Sequence, residues 1–242
     1  MDFSELGLSA DVLKAIADSG YTTPTPIQAQ AIPHVLSGRD IMGIAQTGTG
    51  KTASFTLPMI HKLAMGRAKA RMPRTLILEP TRELAAQVAE SFERYGKYHK
   101  LSMALLIGGV SFDDQEKKLD RGVDVLIATP GRLLDHFGRG KLMLTGVQIL
   151  VVDEADRMLD MGFIPDVERI CKLLPFTRQT LFFSATMPPE IQRLSDQFLS
   201  NPVKIEVARP ATTADTITQS LLVVQGDDKA KREALRRLIR GQ

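Results

Sequence analysis

Two short stretches of this chain hold residue types suited to a phosphorylated ligand. The first is Ala45-Gln46-Thr47-Gly48-Thr49-Gly50-Lys51-Thr52. Gly48 and Gly50 permit positive φ, so backbone N–H groups from Gln46 to Thr52, those of Thr47 and Thr49 included, can surround an anion. The Lys51 ammonium suits β- and γ-phosphate oxygens, and the Thr52 hydroxyl suits Mg²⁺. Such a loop usually opens on glycine, where this chain has Ala45, and a glycine-rich turn ending in Lys-Thr also arises by chance. The second stretch is Asp153-Glu154-Ala155-Asp156. At the end of a buried strand Asp153 can reach a Mg²⁺ held by phosphates, while Glu154 orients the attacking water. An acidic helix start, favoured by the helix dipole, has the same wording.

Chemistry of this kind needs both stretches at one edge of a shared scaffold. Short apolar runs that read as strands fall at 41–45, 75–78, 103–107, 125–128, 149–152, 181–183 and 203–207. Between them, 82–95, 131–137, 165–174 and 189–199 have amphipathic helical spacing, and a helix is expected after Lys51. Buried strands alternating with helices predict an α/β fold, a mostly parallel sheet covered on both faces. Ligands of such sheets gather at the carboxyl ends of the strands, where both stretches fall.

Beyond 207 the character changes. Residues 208–216 have a linker's composition, small, polar and proline-containing. A strand-like run at 217–224 and a helical stretch at 229–239 follow, too little to bury a core, and read as the opening of a second domain. The first domain is expected to span 1–207.

Bulk properties exclude more than they assign. The chain has 242 residues, 43% of them hydrophobic and 24% charged, as in ordinary soluble proteins. The formal charge of +3 is misleading, because residues 227–242 carry six basic against three acidic side chains and the rest is neutral by count. Overall basicity therefore argues for no nucleic acid. Residues 66–74 are locally basic, which fits a solvated loop as well as an RNA contact. No apolar stretch approaches a membrane span. A single cysteine, Cys171, excludes an internal disulfide and fits a buried position in a reducing compartment. The four histidines lack metal-ligand spacing.

The wording of several loops resembles the N-terminal core domain of the DEAD-box RNA helicases. Gly20-Tyr21-Thr22-Thr23-Pro24-Thr25-Pro26-Ile27-Gln28 matches the family's Q motif, with Phe3 as its upstream aromatic. The loop AQTGTGKT is the family's own variant, so Ala45 is no departure. Pro80-Thr81-Arg82-Glu83-Leu84-Ala85, Gly108-Gly109, Thr129-Pro130-Gly131-Arg132 and Ser184-Ala185-Thr186 follow in the family's order. The resemblance runs from Phe3 to about Val207, and its wording is similar to bacterial members such as the RhlE group.

The resemblance implies a RecA-like P-loop domain that uses ATP and Mg²⁺ and holds RNA by its backbone. It implies that Gln28 reads adenine, that Tyr21 stacks on the base and that Thr25 orders the phosphate loop. It places Asp153, Glu154 and Lys51 at the reaction and Thr52 and Asp153 at the metal. It assigns Thr81, Arg82, Gly109, Thr129 and Arg132 to RNA, and Asp156, Ser184 and Thr186 to coupling. The chemistry agrees, since hydroxyls, guanidinium groups and glycine N–H groups hold nucleic-acid backbone without reading bases. Outside the motifs, Tyr21 would read as a core aromatic, Gln28 as a helix-surface residue and the arginines as salt-bridge partners.

The family's second domain supplies an arginine finger from a His-Arg-x-Gly-Arg-x-Gly-Arg motif, and no histidine here precedes an arginine. The expectation is a monomeric, cytoplasmic ATP-dependent RNA helicase represented by its first half, nearly inactive alone. The alternatives are a non-catalytic nucleotide- or partner-binding module and another P-loop ATPase such as a DNA translocase.

Overall fold

The computed structural model describes residues 1–207, 223–224 and 227–240. The chain divides into two units, Met1–Ala208 and Arg209–Gln242. In the first unit the strands are β1 (Ile41–Ile44), β2 (Thr75–Leu78), β3 (Met103–Leu106), β4 (Val125–Ala128), β5 (Ile149–Val152), β6 (Gln179–Ser184) and β7 (Val203–Glu206). They form one sheet in the order β3-β4-β2-β5-β6-β1-β7, every pair parallel.

Side-chain alternation explains why both faces of this sheet are buried. Ile77, Val125, Ile127, Ile149, Val151, Leu181 and Phe183 point to one core. Leu76, Leu78, Leu126, Ala128, Leu150, Val152 and Phe182 point to the other. Against the first core pack α1 (Ala10–Asp18), α2 (Pro26–Leu36), α3 (Lys51–Leu63) and α4 (Arg82–Tyr95). Against the second pack α5 (Phe112–Arg121), α6 (Pro130–Gly138), α7 (Ala155–Asp160), α8 (Ile164–Leu173) and α9 (Pro189–Phe198). Partly exposed residues fall mainly on the edge strands β3 and β7. Gly43 in β1 is required by packing, since a Cβ there would lie 2.6 Å from the Phe183 ring, itself stacked at 5.5 Å on Phe55.

The seven strands expected between 41 and 207 are present, and α4 has the expected limits. The strand expected at 181–183 starts earlier, because buried polar residues extend it. Gln179 donates to the carbonyls of Val35 and Arg39, and the Thr180 N–H donates to Asp40. Helix α5 escaped apolar periodicity because only Gln115 and Leu119 of its residues are buried. Arg74, in the basic stretch expected on a surface, is instead buried and ion-paired with Asp124 at 3.1 Å. Cys171 is buried in the second core, where burial pushes its thiol up to about 12.

In the second unit, α10 (Asp228–Arg240) covers the helix expected at 229–239. The expected linker at 208–216 and residues 217–222 of the expected strand lie outside the described residues. Val223 and Val224 carry no regular structure.

Candidate functional site

Apart from residues 20–28, which lie between α1 and α2, every singled-out loop leaves the carboxyl end of a strand, and the sheet order sorts them into two halves. β5, β6 and β1 carry the acidic stretch, Ser184–Thr186 and the glycine loop; β3, β4 and β2 carry Gly108–Gly109, Thr129–Arg132 and Thr81–Arg82. The two halves meet where β2 pairs with β5.

The glycine loop turns through Gly48 at φ 85° and Gly50 at φ 88°, and Gly50 is the N-cap of α3. Its N–H groups and the α3 N-terminus thus serve one anion site. The Thr49 hydroxyl closes the turn onto the Gln46 carbonyl at 2.7 Å. Gln28 holds the loop from outside, its Nε2 donating to the Gly50 carbonyl at 3.2 Å. Its Oε1 accepts from the Thr25 N–H at 3.0 Å, which is half of a capping box on α2. The Gln28 side chain is buried, not on a helix surface. A primary amide with one donor and one acceptor used keeps one of each for a ligand. Thr25 Oγ1 is buried without a partner beside the loop.

Beside these residues lies a cavity of about 310 Å³, walled by Tyr21, Thr25, Gln28, Gly48, Gly50 and Tyr95 among others. That is the lower end of the range for small-ligand sites. Tyr21 is no core aromatic, being 49% exposed, and its ring meets Tyr95 at 6.5 Å. A larger cavity of about 600 Å³ opens beside Asp40, Cys171 and Phe176 and shares none of the motif residues.

A second cavity of about 400 Å³ is lined by Thr47, Lys51, Thr52, Glu79, Asp153 and Glu154. The buried Lys51 ammonium lies 2.7 Å from Glu154 and 3.6 Å from Asp153. Burial pulls its pKa down, but the carboxylates outweigh this and leave it raised. Burial, with repulsion from Glu154, lifts Asp153 to about 6 despite Lys51. Glu154 has left-handed backbone at φ 54°, unusual for a non-glycine residue, and its N–H donates to Asp153 Oδ1 at 2.8 Å.

The site includes one residue that the motifs did not point to. Glu79 is fully buried, neither of its oxygens has a hydrogen-bond partner, and burial with Asp153 and Glu154 raises its pKa well above the ordinary value. The signal was present in the sequence, as Glu79 ends the apolar run 75–78 just as Asp153 ends 149–152.

The donor set fits Mg²⁺. Thr52 and Asp153 offer hard oxygen ligands on one cavity, and Mg²⁺ completes its shell with waters and substrate phosphates. Among the described residues no three His, Cys, Asp or Glu side chains form a metal cage. The Lys51 ammonium balances the acidic pair, so a cation at Asp153 requires Lys51 to turn toward the phosphates.

In the other half, Thr81 caps α4 by accepting from the Leu84 N–H at 3.3 Å. Arg82 is exposed and reaches Gly109, where a Cβ would sit 2.8 Å from its Nη1. Its 3.8 Å pair with Glu83 is solvent-exposed and weak. Thr129 is the N-cap residue of α6. Arg132 stacks on Phe112 at 3.3 Å and donates to Gln115 and, at 2.6 Å, to the Val110 carbonyl. It thus ties the loop after Gly109 to α5 and α6. Beyond the adjacent strands β5 and β6, Asp156 accepts from the N–H and hydroxyl of Thr186 at 3.0 and 2.9 Å. The Ser184 hydroxyl accepts from the Asp156 N–H at 3.2 Å. Burial alone would raise the Asp156 pKa, but these bonds hold it below the usual carboxylate value.

The DEAD/DEAH box helicase family model matches residues 25–194. The chain is 45% identical over 241 residues to the ATP-dependent RNA helicase DeaD of Klebsiella pneumoniae, covering 99% of this chain and 37% of that protein. It is 45% identical over 238 residues to the ATP-dependent RNA helicase DeaD of Mycobacterium tuberculosis, covering 98% of this chain and 41% of the relative. The chain thus spans about two fifths of the length of these relatives. The crystal structure of a DEAD box protein from the hyperthermophile Methanococcus jannaschii superposes with a TM-score of 0.79 at 39% identity, over 99% of this chain and 63% of that one. Architecture, loop order and a family model spanning most of the first unit agree: this chain belongs to the DEAD/DEAH box helicase family.

Proposed function

We propose that the chain is the ATP- and RNA-holding part of an ATP-dependent RNA helicase, in which ATP hydrolysis drives remodelling of RNA duplexes. The observation that carries this reading is the division of one sheet edge into an anion site and a set of backbone-holding groups, which meet where β2 pairs with β5. Adenine would stack on Tyr21 and meet the remaining donor and acceptor of Gln28. Lys51 and the loop N–H groups would hold the phosphates, while Thr52 and Asp153 hold Mg²⁺ and Glu154 orients water. Mg²⁺ supplies charge neutralisation on the phosphates. Thr81, Arg82, Gly109, Thr129 and Arg132 would meet phosphate and sugar, a sequence-independent contact.

Among the described residues neither cavity of the site that adjoins the glycine loop carries an arginine facing Lys51, and Arg94, beside Tyr95, is the one arginine on their walls. A second helicase domain is therefore proposed as the partner that closes over the γ-phosphate. The exposed Leu235, Leu238 and Ile239 of α10 fit a helix at the start of such a domain, from 217 onward, after a linker at 208–216. A monomeric state in the cytoplasm belongs to the same proposal. Calorimetric titration tests the base assignment. ADP is expected to bind better than GDP, and Gln28→Ala to narrow the gap by about 1–3 kcal/mol. Equal affinity of the wild type for both nucleotides would overturn it.

A further inference from the structure

We propose that Glu79 is an outer-shell carboxyl of the nucleotide site, accepting hydrogen bonds from water bound to the cation that accompanies the phosphates. The inference rests on the nucleotide reading above and extends it to a residue outside the motifs.

Apart from Asp153 and Glu154, which pair with Lys51, the buried carboxyls described in the first unit fall into two groups. Asp40 accepts from the N–H groups of Thr180 and Ser200, and Asp124 pairs with Arg74 and accepts from Ser102. Both are fully employed in holding loops. Glu79 is fully buried with both oxygens unpartnered, a costly state for a group with only a structural role. An apolar side chain would complete β2 and the core beneath it at less cost. Glu79 also lines the same 400 Å³ cavity as Lys51, Thr52, Asp153 and Glu154. Lys51 is engaged with Glu154 at 2.7 Å, so Glu79 is not its hydrogen-bonding partner.

The arrangement favours contact through water over direct ligation. No three acidic or imidazole groups among the described residues converge as a metal cage, and Mg²⁺ retains several waters. Those waters are donors, and the Glu79 oxygens are acceptors without donors. Backbone placement is firm: the Glu79 N–H donates to the Ala128 carbonyl at 3.0 Å, Pro80 follows, and Thr81 caps α4. The segment that would sense the cation therefore continues into Thr81 and Arg82.

The test is ADP titration of the whole chain at graded Mg²⁺, repeated with Mn²⁺ while free Mn²⁺ is followed by electron paramagnetic resonance. Glu79→Gln keeps the shape and removes the charge. It is expected to raise the cation concentration needed for tight ADP binding by about tenfold or more, with ADP affinity in excess chelator as the cation-free reference for each protein. Glu79→Met, of similar volume, gives the same reading should the glutamine variant fail to fold. A cation requirement equal to wild type in a folded variant overturns the role of Glu79 alone. A wild type whose ADP binding ignores both Mg²⁺ and Lys51→Ala overturns the nucleotide reading, and this proposal with it.

Discussion

At the scale of single residues, the ligand-free site is a charge cluster whose one ammonium serves two carboxylates. Lys51 bonds Glu154 and lies near Asp153, so phosphates that draw Lys51 away leave both acids to new partners. The two then separate by role. In the chain joined to a second helicase domain, Glu154→Gln should leave ATP affinity nearly unchanged while lowering turnover by about 10²–10⁴. Asp153→Asn should raise the Mg²⁺ requirement for binding. Calorimetry and phosphate release measured side by side check the division, and parallel loss of both quantities in both variants would remove it. Titration gives a second expectation. Glu79 has a folded pKa raised well above the ordinary value of 4.5, so the folded state keeps a proton that the unfolded chain loses as pH rises. Its contribution to stability therefore falls with rising pH above that value. Asp153 adds the same slope between 3.8 and about 6. The melting temperature of ligand-free Glu79→Gln should match wild type near pH 4.5 and exceed it increasingly toward neutrality. A constant difference across that range would contradict the burial argument. Motif reading found Lys51, Asp153 and Glu154, because each sits where a strand or turn fixes its chemistry. It missed the second duty of Gln28 and the whole of Glu79, since hydrogen-bond partners and their absence are properties of assembled neighbours.

At the scale of elements, α2 and the glycine loop form one device. Gln28 spans from the first turn of α2 to the Gly50 carbonyl, and Gly50 must stay small to admit it. A Cβ there would stand 2.5 Å from Gln28 Nε2, at a φ of 88° that side chains rarely adopt. Gly50→Ala is accordingly expected to keep the fold, at a local cost of about 1–2 kcal/mol. It should weaken ADP binding at least about tenfold by displacing Gln28 or the loop. Circular dichroism melting and ADP titration together test this, and unchanged ADP affinity would show that the close packing does not matter. Strands buried on both faces were legible because each is a short apolar run between turn residues. Helix α5 was not, because its buried face is Gln115 and Leu119, and its purpose lies in what Gln115 and Phe112 do for Arg132. That tie also gives Arg132 a structural part, as a guanidinium that shapes the Gly109 loop.

At the scale of the whole molecule, the sheet edge supplies everything for holding two ligands and little for closing over them. Lys51, Thr52, Asp153 and Glu154 line the phosphate cavity, with no arginine on its wall. Phosphoryl transfer that lacks a trans-acting arginine runs about 10³–10⁵-fold slower. The groups in the RNA half hold backbone alone, so RNA affinity should be modest and should fall steeply with salt. Asp156 and Thr186, joined by two hydrogen bonds beyond β5 and β6, are proposed to couple the nucleotide to the RNA groups. Stimulation is expected from closure of a second domain over both ligands. The 242-residue chain by itself is therefore expected to show negligible RNA-stimulated ATPase. The same chain joined to a family C-terminal domain should show it, and Lys51→Ala should abolish it. Phosphate release measured with and without RNA, across a salt series, decides the matter. Robust RNA-stimulated turnover by the chain alone, lost in Lys51→Ala, would overturn the argument and point to an arginine supplied by another copy, with the basic face of α10 the first place to look.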